Sequence, residues 1–327
     1  MRTYHVALAA FALAACSKGT TASKTFRIGM IAKSSTNPVF LSARTGADAA
    51  AAELSKSMGI DIKIDWLTPP NEDGTVQAQR IAQAVNDGDN ALLISASDAG
   101  KITGAINDAV DRGVPVMMFD SDAPQSKRFS FYGGNDLAIG QQVMAELAEQ
   151  LHGKGKVAIL AGNQNATNLQ KRVEGVKEEA KKYPGITILS TFNHVETPQD
   201  AASEVLRAQG ANRDIDGWAM IGGWPLFTRA LLDLDPKVKI VAVDALPAEL
   251  GYVEKGLAPV LLAQPTYLWG DVSVRTIVDH VYSKKDVPAY VEMKLVKVSK
   301  DNLGAWARQL KAWGFTDVDP KYLALPN

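Results

Sequence analysis

Short apolar runs alternate along this chain with longer stretches in which apolar residues recur every three to four positions. The runs read as strands and the stretches as amphipathic helices, and their alternation predicts mostly parallel sheets flanked by helices. Phe26-Arg27-Ile28-Gly29-Met30-Ile31 opens the pattern as a strand. A helix over 46–58, a strand over 60–67, a helix over 76–86, a strand over 91–94, a helix over 101–112 and a strand over 114–119 follow. The last, Val114-Pro115-Val116-Met117-Met118-Phe119, is almost wholly apolar, as a strand buried on both faces requires.

The pattern then restarts with helices over 138–151, 169–182, 198–209, 226–232 and 247–255, interleaved with strands over 156–160, 187–190, 217–221 and 238–243. Two consecutive halves of one kind predict a duplicated α/β architecture of two Rossmann-like lobes. Residues 128–135 lie between them, and Gly133-Gly134 suits a crossover that must bend. Strands over 260–263 and 291–298 around one helix, 271–282, read as returns of the chain to both lobes, giving a multi-strand hinge and an organised rotation on closure. The expected division is 26–130 plus about 265–290 for the first lobe and 131–263 plus about 291–327 for the second. Residues 301–314 read as a terminal helix carrying Trp306 and Trp313.

With 327 residues, 46% of them hydrophobic, each lobe can bury its own core. The formal charge of −1 offers no basic field for nucleic acid or anionic lipid. No run after residue 16 approaches the roughly 18 apolar residues of a membrane helix. The single cysteine, Cys16, ends the apolar run 6–15, which follows Arg2. A positive start, an apolar stretch too short to span a bilayer and small residues before a cut describe a signal peptide over 1–15. Leu13-Ala14-Ala15-Cys16 resembles the lipobox of bacterial lipoproteins, whose cysteine is lipidated and becomes the new N-terminus; an ordinary secretory signal is the alternative. Either places the mature protein outside the cytoplasm, with 16–25 as a small, polar tether. One cysteine gives no disulfide framework. His152, His194 and His280 stand singly, with no metal-binding spacing, and neither a Gly-x-Ser-x-Gly elbow nor a phosphate loop occurs. No cofactor or metal is expected.

The candidate chemistry sits at strand ends. Ile28-Gly29-Met30-Ile31-Ala32-Lys33-Ser34-Ser35-Thr36-Asn37-Pro38-Val39-Phe40 runs from the first strand through a polar loop; Phe119-Asp120-Ser121-Asp122-Ala123-Pro124 follows the apolar strand. Asn168-Leu169-Gln170-Lys171-Arg172-Val173-Glu174-Gly175 opens a helix of the second half, and Val243-Asp244-Ala245 and Leu262-Ala263-Gln264-Pro265 end two of its strands. In their order these segments resemble the type I periplasmic sugar-binding proteins of the ribose- and allose-binding branch, which share their fold with the effector domain of LacI-type regulators. The resemblance covers nearly all of 26–298.

It implies a two-lobed binding protein, working as a monomer, that captures a monosaccharide (pentose, hexose or deoxyhexose) and delivers it to the permease of an ABC-type importer. Within the same fold the alternative is a receptor presenting a sugar, or a furanosyl signal such as autoinducer-2, to a membrane sensor. A sugar-modifying enzyme is the alternative from another class. The implied ligand residues are Lys33, Asn37, Phe40, Asp120, Asp122, Asn168, Arg172, Trp224, Asp244 and Gln264.

The chemistry of these residues suits a sugar. An aromatic ring such as Phe40 matches the apolar face of a pyranose, and Asn37 offers donor and acceptor to its hydroxyls; a core anchor and a helix cap are the other readings. A carboxylate such as Asp120 accepts from two neighbouring hydroxyls through charge-assisted bonds. Asp122 is a second such carboxylate or a turn residue before Pro124. Arg172 brings a planar fork of donors, with Asn168 one helical turn earlier on the same face. Asp244 is expected to face Asp120 across the cleft, and Gln264 to bond ligand only when the lobes shut. Val39 stands where the family's first stacking aromatic is usual, Ser121 where the ribose-type pattern has Arg, and Gly222-Gly223-Trp224-Pro225 where an Asn-Asp is frequent. Trp224, and less so Trp66, are candidates to supply the missing stacking face.

Overall fold

The computed structural model describes residues 25–326 and contains two six-stranded sheets, each with a hydrophobic core on either face. Lobe 1 begins with β1 (Thr25–Ile31), α1 (Pro38–Met58), β2 (Asp61–Trp66), α2 (Gly74–Asn86), β3 (Ala91–Ile94), α3 (Ala99–Asp111), β4 (Val116–Phe119) and β5 (Ser130–Gly133). Lobe 2 comprises α4 (Asp136–Gln150), β6 (Lys154–Ala161), α5 (Thr167–Ala180), β7 (Gly185–Asn193), α6 (Pro198–Ala211), β8 (Gly217–Met220), β9 (Lys239–Val243), α7 (Leu250–Lys255) and β10 (Val260–Ala263). The chain returns to lobe 1 as α8 (Thr266–Ile277) and β11 (Tyr290–Glu292), then to lobe 2 as β12 (Val296–Val298), α9 (Leu303–Ala312) and α10 (Pro320–Leu323).

The strand orders are β11-β5-β4-β3-β1-β2 and β12-β10-β9-β8-β6-β7. They are one order written twice, so the duplication read from the sequence extends to strand positions. Only β12, antiparallel to β10, departs from parallel pairing.

The helix crossings repeat as well. A Cβ on Gly46 of α1 would lie 1.9 Å from the Tyr267 carbonyl oxygen, and one on Gly270 of α8 would lie 1.9 Å from that of Ala43. In lobe 2, Gly175 of α5 and Gly140 of α4 meet the carbonyls of Leu137 and Arg172 at 2.1 and 1.9 Å. Gly46 and Gly175 are each the ninth residue of their helix, and Gly270 and Gly140 each the fifth. The backbones touch at these points, which only a residue without Cβ allows.

Several boundaries differ from those the sequence predicts. Residues 130–133 form β5 at the lobe 1 sheet, paired with β4, so the chain leaves lobe 1 at Gly134 and not at 130. The single strand expected over 291–298 is two: β11 beside β5 in lobe 1 and β12 beside β10 in lobe 2, with the crossing at 293–295. The three passes are therefore at 134–135, 264–265 and 293–295. The helix expected over 226–232 is reduced to a 3-10 turn at Trp224–Phe227, and α1 starts at Pro38, well before the predicted 46. Thr25, placed in the tether by the sequence, opens β1; the rest of the tether, the signal segment and Cys16 lie outside the described residues. Trp306 donates from its indole to the Ala245 carbonyl (2.7 Å) inside lobe 2, while Trp313 stacks on Tyr267 of α8, centroids 5.7 Å apart. The C-terminal segment thus ties the two lobes together.

Away from the cleft, Arg27 pairs with Asp65 (2.6 Å) and Asp89 (3.2 Å). Asp89 is buried and, apart from the Arg27 ion pair, neither of its oxygens has a hydrogen-bond partner among the described residues. Burial first, then the adjoining Asp65 carboxyl, push its pKa up to about 7. Between the ordinary value near 4 and 7 the folded protein binds more protons than the unfolded chain, so stability falls as pH rises through that window. Asp89→Asn is expected to raise the melting temperature by a few degrees at pH 8 and by about a third as much at pH 5. Thermal denaturation at both pH values checks this; an equal effect at both would dismiss the titration.

Candidate ligand-binding cleft

The carboxyl ends of the parallel strands of both sheets meet between the lobes, the place where open α/β folds bind ligands. Asp120 follows β4 directly and Asp244 follows β9 directly, and these strands hold the same place in their sheets. Both residues have left-handed backbones, φ 56° and 81°. That conformation disfavours most side chains and is best tolerated by Asn and Asp. The duplicated fold therefore presents one carboxylate from each lobe on the same kind of strained corner.

Around Asp120 the lobes are already in contact. The Ser95 hydroxyl, just past β3, donates to Oδ2 (2.7 Å), and the Asn168 amide of lobe 2 donates to Oδ1 (3.2 Å). The Lys33 ammonium, just past β1, lies 3.9 Å from Oδ2. From lobe 2, Arg172 donates through Nε to Asp136 (2.9 Å), through Nη1 to the Ile221 carbonyl (3.2 Å) and through Nη2 to Gln264 Oε1 (2.9 Å). Gln264 in turn donates to Asp244 Oδ1 (2.8 Å), whose other oxygen accepts from the Gly223 N–H (3.2 Å). These bonds use three of the five N–H groups of the guanidinium. Its other two make no hydrogen bond among the described residues.

The charges in this network shape one another. Burial raises the Asp136 carboxyl to about 6, against the pull of Arg172. Burial likewise raises Asp244, opposed by the Gln264 hydrogen bond and by Arg172. Burial acts to lower Arg172, but Asp136, Asp120 and Asp244 outweigh it and the guanidinium stays charged. A cation held among three carboxyl groups and an amide is a preorganised donor.

Six of the residues singled out in the sequence, Lys33, Asp120, Asn168, Arg172, Asp244 and Gln264, come together here, each 6% exposed or less. The others occupy positions around them. Asn37 caps α1, its side-chain oxygen accepting from the Val39 N–H (3.1 Å). Phe40 packs in the lobe 1 core against Phe119 and Trp269, centroids 6.3 and 6.0 Å away. Asp122 accepts a two-pronged pair from Arg128 at 2.5 and 2.6 Å. Trp224 is buried edge-on to His194 (5.0 Å), over Gly222, where a Cβ would fall 2.4 Å from the indole. Trp66 lies partly exposed beneath the Arg44 guanidinium.

Sequence reading passed over Ser95, Asp136 and Gln77. Gln77 is fully buried, donating to the carbonyls of Ala32 and Ser95 and accepting from the Ser97 N–H, and so pins the ends of β1 and β3. The signal was present: Gln77 sits with Gly74, Ile81, Ala84 and Val85 on the buried face of α2, where a polar side chain needs a reason.

The sequence profile of the periplasmic binding protein domain matches residues 28–285. The chain belongs to this family. The ribose import binding protein of Bacillus subtilis is 29% identical over 152 residues, 46% of this chain and 48% of that one. The D-ribose/D-allose-binding protein of Pseudomonas aeruginosa is 28% identical over 170 residues, 50% of this chain and 52% of that one. The chain spans about half the length of these curated relatives. Among solved structures, an ABC transporter solute-binding protein from Burkholderia graminis, in complex with D-arabinose, superposes with a TM-score of 0.78 at 25% identity, covering 86% of this chain and 97% of that one. The family is one of binding proteins, and its membership implies a place outside the cytoplasm. Among its described residues no helix is long and apolar enough to cross a membrane.

Proposed function

We propose that this protein captures a monosaccharide (a pentose, hexose or deoxyhexose) between its lobes and delivers it to an ABC-type importer, held near the membrane by a lipidated Cys16. The observation that carries the reading is the buried ring of opposed donors and acceptors contributed by both lobes: Asp120 and Lys33 from one, Asn168, Arg172, Asp244 and Gln264 from the other. A sugar hydroxyl donates and accepts at once, and neighbouring hydroxyls match a carboxylate's oxygen pair and a guanidinium fork. Because the ring is complete only when the lobes are shut, a ligand that satisfies it favours the closed state. Ribose, allose and arabinose, named for the relatives, carry neighbouring hydroxyls of the kind this chemistry would bind. One acyl chain anchors only marginally, so the multiply acylated cysteine of lipoproteins suits a protein that must stay beside its permease.

A thermal-shift panel of pentoses, hexoses and deoxyhexoses tests the reading. One sugar class is expected to raise the melting temperature progressively with concentration, by about 2.7 kcal/mol of added stability at a hundredfold excess over Kd, and to be recovered unchanged. Turnover of the sugar, or a panel in which none shifts the transition, would refute it.

A further inference from the structure

Two buried groups on the outer side of this cleft have hydrogen-bonding capacity that the protein leaves unused. The Lys33 ammonium makes no hydrogen bond among the described residues, its nearest carboxylate being Asp120 at 3.9 Å, although the residue is only 3% exposed. Glu72 Oε1 is buried and also without a partner. Glu72 lies between β2 and α2 in lobe 1; Glu196 lies between β7 and α6, the equivalent loop of lobe 2. Asn163, past β6, links them: its N–H donates to Glu196 Oε1 (2.7 Å), and its amide donates to the Ser97 carbonyl (3.2 Å) and, at the limit of reach, to Glu72 Oε2 (3.5 Å).

Through its two contacts Asn163 brings the Glu72 and Glu196 carboxyl groups into one neighbourhood. Burial and then Glu196 push Glu72 well above the usual carboxylate range. Burial opposes the charge on Lys33, but Glu72, Glu196 and Asp120 more than offset it and raise its pKa. Glu72 and Glu196 border a polar opening of about 480 Å³ that Asp73, Asp98, Lys101 and His194 also line, and Lys33 is buried behind it, one residue before the lining Ser34.

We infer that Lys33, Glu72 and Glu196 form a further subsite of the cleft that takes a hydroxyl pair of the ligand, Lys33 donating and the carboxyl pair accepting. This rests on the sugar-binding reading and deepens it. A hydroxyl placed between Lys33 Nζ and Glu72 Oε1 accepts from the first and donates to the second, giving each a hydrogen bond that the protein does not supply. Because Glu72 and Glu196 come from different lobes, the subsite exists only in the shut protein. Specificity at this end of the ligand is then set by hydroxyl position, since an analogue without that hydroxyl leaves buried polar groups unpaired.

Calorimetric titration tests this, using the panel sugar with the largest thermal shift and its monodeoxy analogues. The proteins are the full chain and its Glu72→Ala, Glu72→Gln, Lys33→Met and Asp120→Asn variants, each with its ligand-free melting temperature measured. Glu72→Ala and Lys33→Met are expected to weaken the parent sugar by roughly tenfold to a hundredfold, and the loss should vanish against one monodeoxy analogue. The isosteric Glu72→Gln, which keeps the packing, should lose less and show the same analogue dependence. Binding unchanged in the Glu72 and Lys33 variants, with Asp120→Asn impaired, overturns the subsite and leaves the sugar cleft standing. An equal loss for the parent sugar and every analogue assigns these residues to structure alone and also overturns it. Unchanged binding in all variants removes the cleft assignment together with the subsite.

Discussion

Asp120→Asn is expected to weaken sugar binding about tenfold to a hundredfold while the ligand-free protein melts where the wild type does. Asparagine is the informative replacement because it tolerates the left-handed backbone at φ 56° and still accepts from the Ser95 hydroxyl. What it removes is the oxygen that accepts from the Asn168 amide and the negative charge, which makes each hydroxyl-to-carboxylate bond roughly twice as strong as a neutral one. The unliganded cleft tolerates that loss. Asp120 adds to the electrostatic burden on the buried Asp136 and Asp244, and Lys33 keeps Glu72 and Glu196 as counter-charges. Asp120→Ala goes further, deleting both acceptor oxygens and placing a Cβ-bearing residue without a polar side chain on a left-handed corner; a loss of more than about a thousandfold is expected. Titration calorimetry of the two variants, with melting curves of the apo proteins, is the measurement. Wild-type affinity in Asp120→Ala would remove Asp120 from the site.

Gly140→Ala is expected to lower the melting temperature by about 5–10 °C and to weaken sugar binding as well. Its Cβ would fall 1.9 Å from the Arg172 carbonyl oxygen and 2.9 Å from the Arg172 Cα, so α4 and α5 must separate. Helix α5 carries both Arg172 and Asn168 into the cleft, and moving it loosens the Arg172–Gln264 and Asn168–Asp120 contacts together. The informative comparison is Gly104→Ala. Gly104 lies in the exposed face of α3 with nothing within 4 Å of a Cβ, so alanine there should add about 0.5–1 kcal/mol of stability through helix propensity alone. Differential scanning calorimetry of both variants with and without sugar separates the effects. A Gly140→Ala protein that melts and binds like the wild type would show that the crossing carries no positional role.

Much of the cleft was legible because its residues follow long, strongly patterned elements. Asp120 and Asp244 come directly after runs of four buried apolar residues, and a polar residue at the end of such a run is conspicuous in the sequence. Ser130–Gly133 was missed as a strand because its Gly-Gly continuation reads as a turn, and β11 and β12 were merged into one strand because three-residue strands carry no periodicity of their own that would mark the break between them. Asp136 escaped notice since an acidic residue in the first turn of a helix is ordinary; its partner, Arg172, lies 36 residues further along. Glu72 and Glu196 sit in polar loops where a glutamate attracts no attention.

The sequence by itself determined the duplicated strand–helix alternation and the positions of the carboxylates, the arginine and the glutamine at its punctuation points, because burial imposes a local pattern on apolar residues and leaves chemistry at the ends. Only the tertiary structure decided which of those groups meet. Asn168 reaches Asp120 across 48 residues, and Arg172 reaches Gln264 across 92. These contacts depend on where three separate passes of the chain hold two lobes, a geometry that no local pattern of apolar and polar positions encodes.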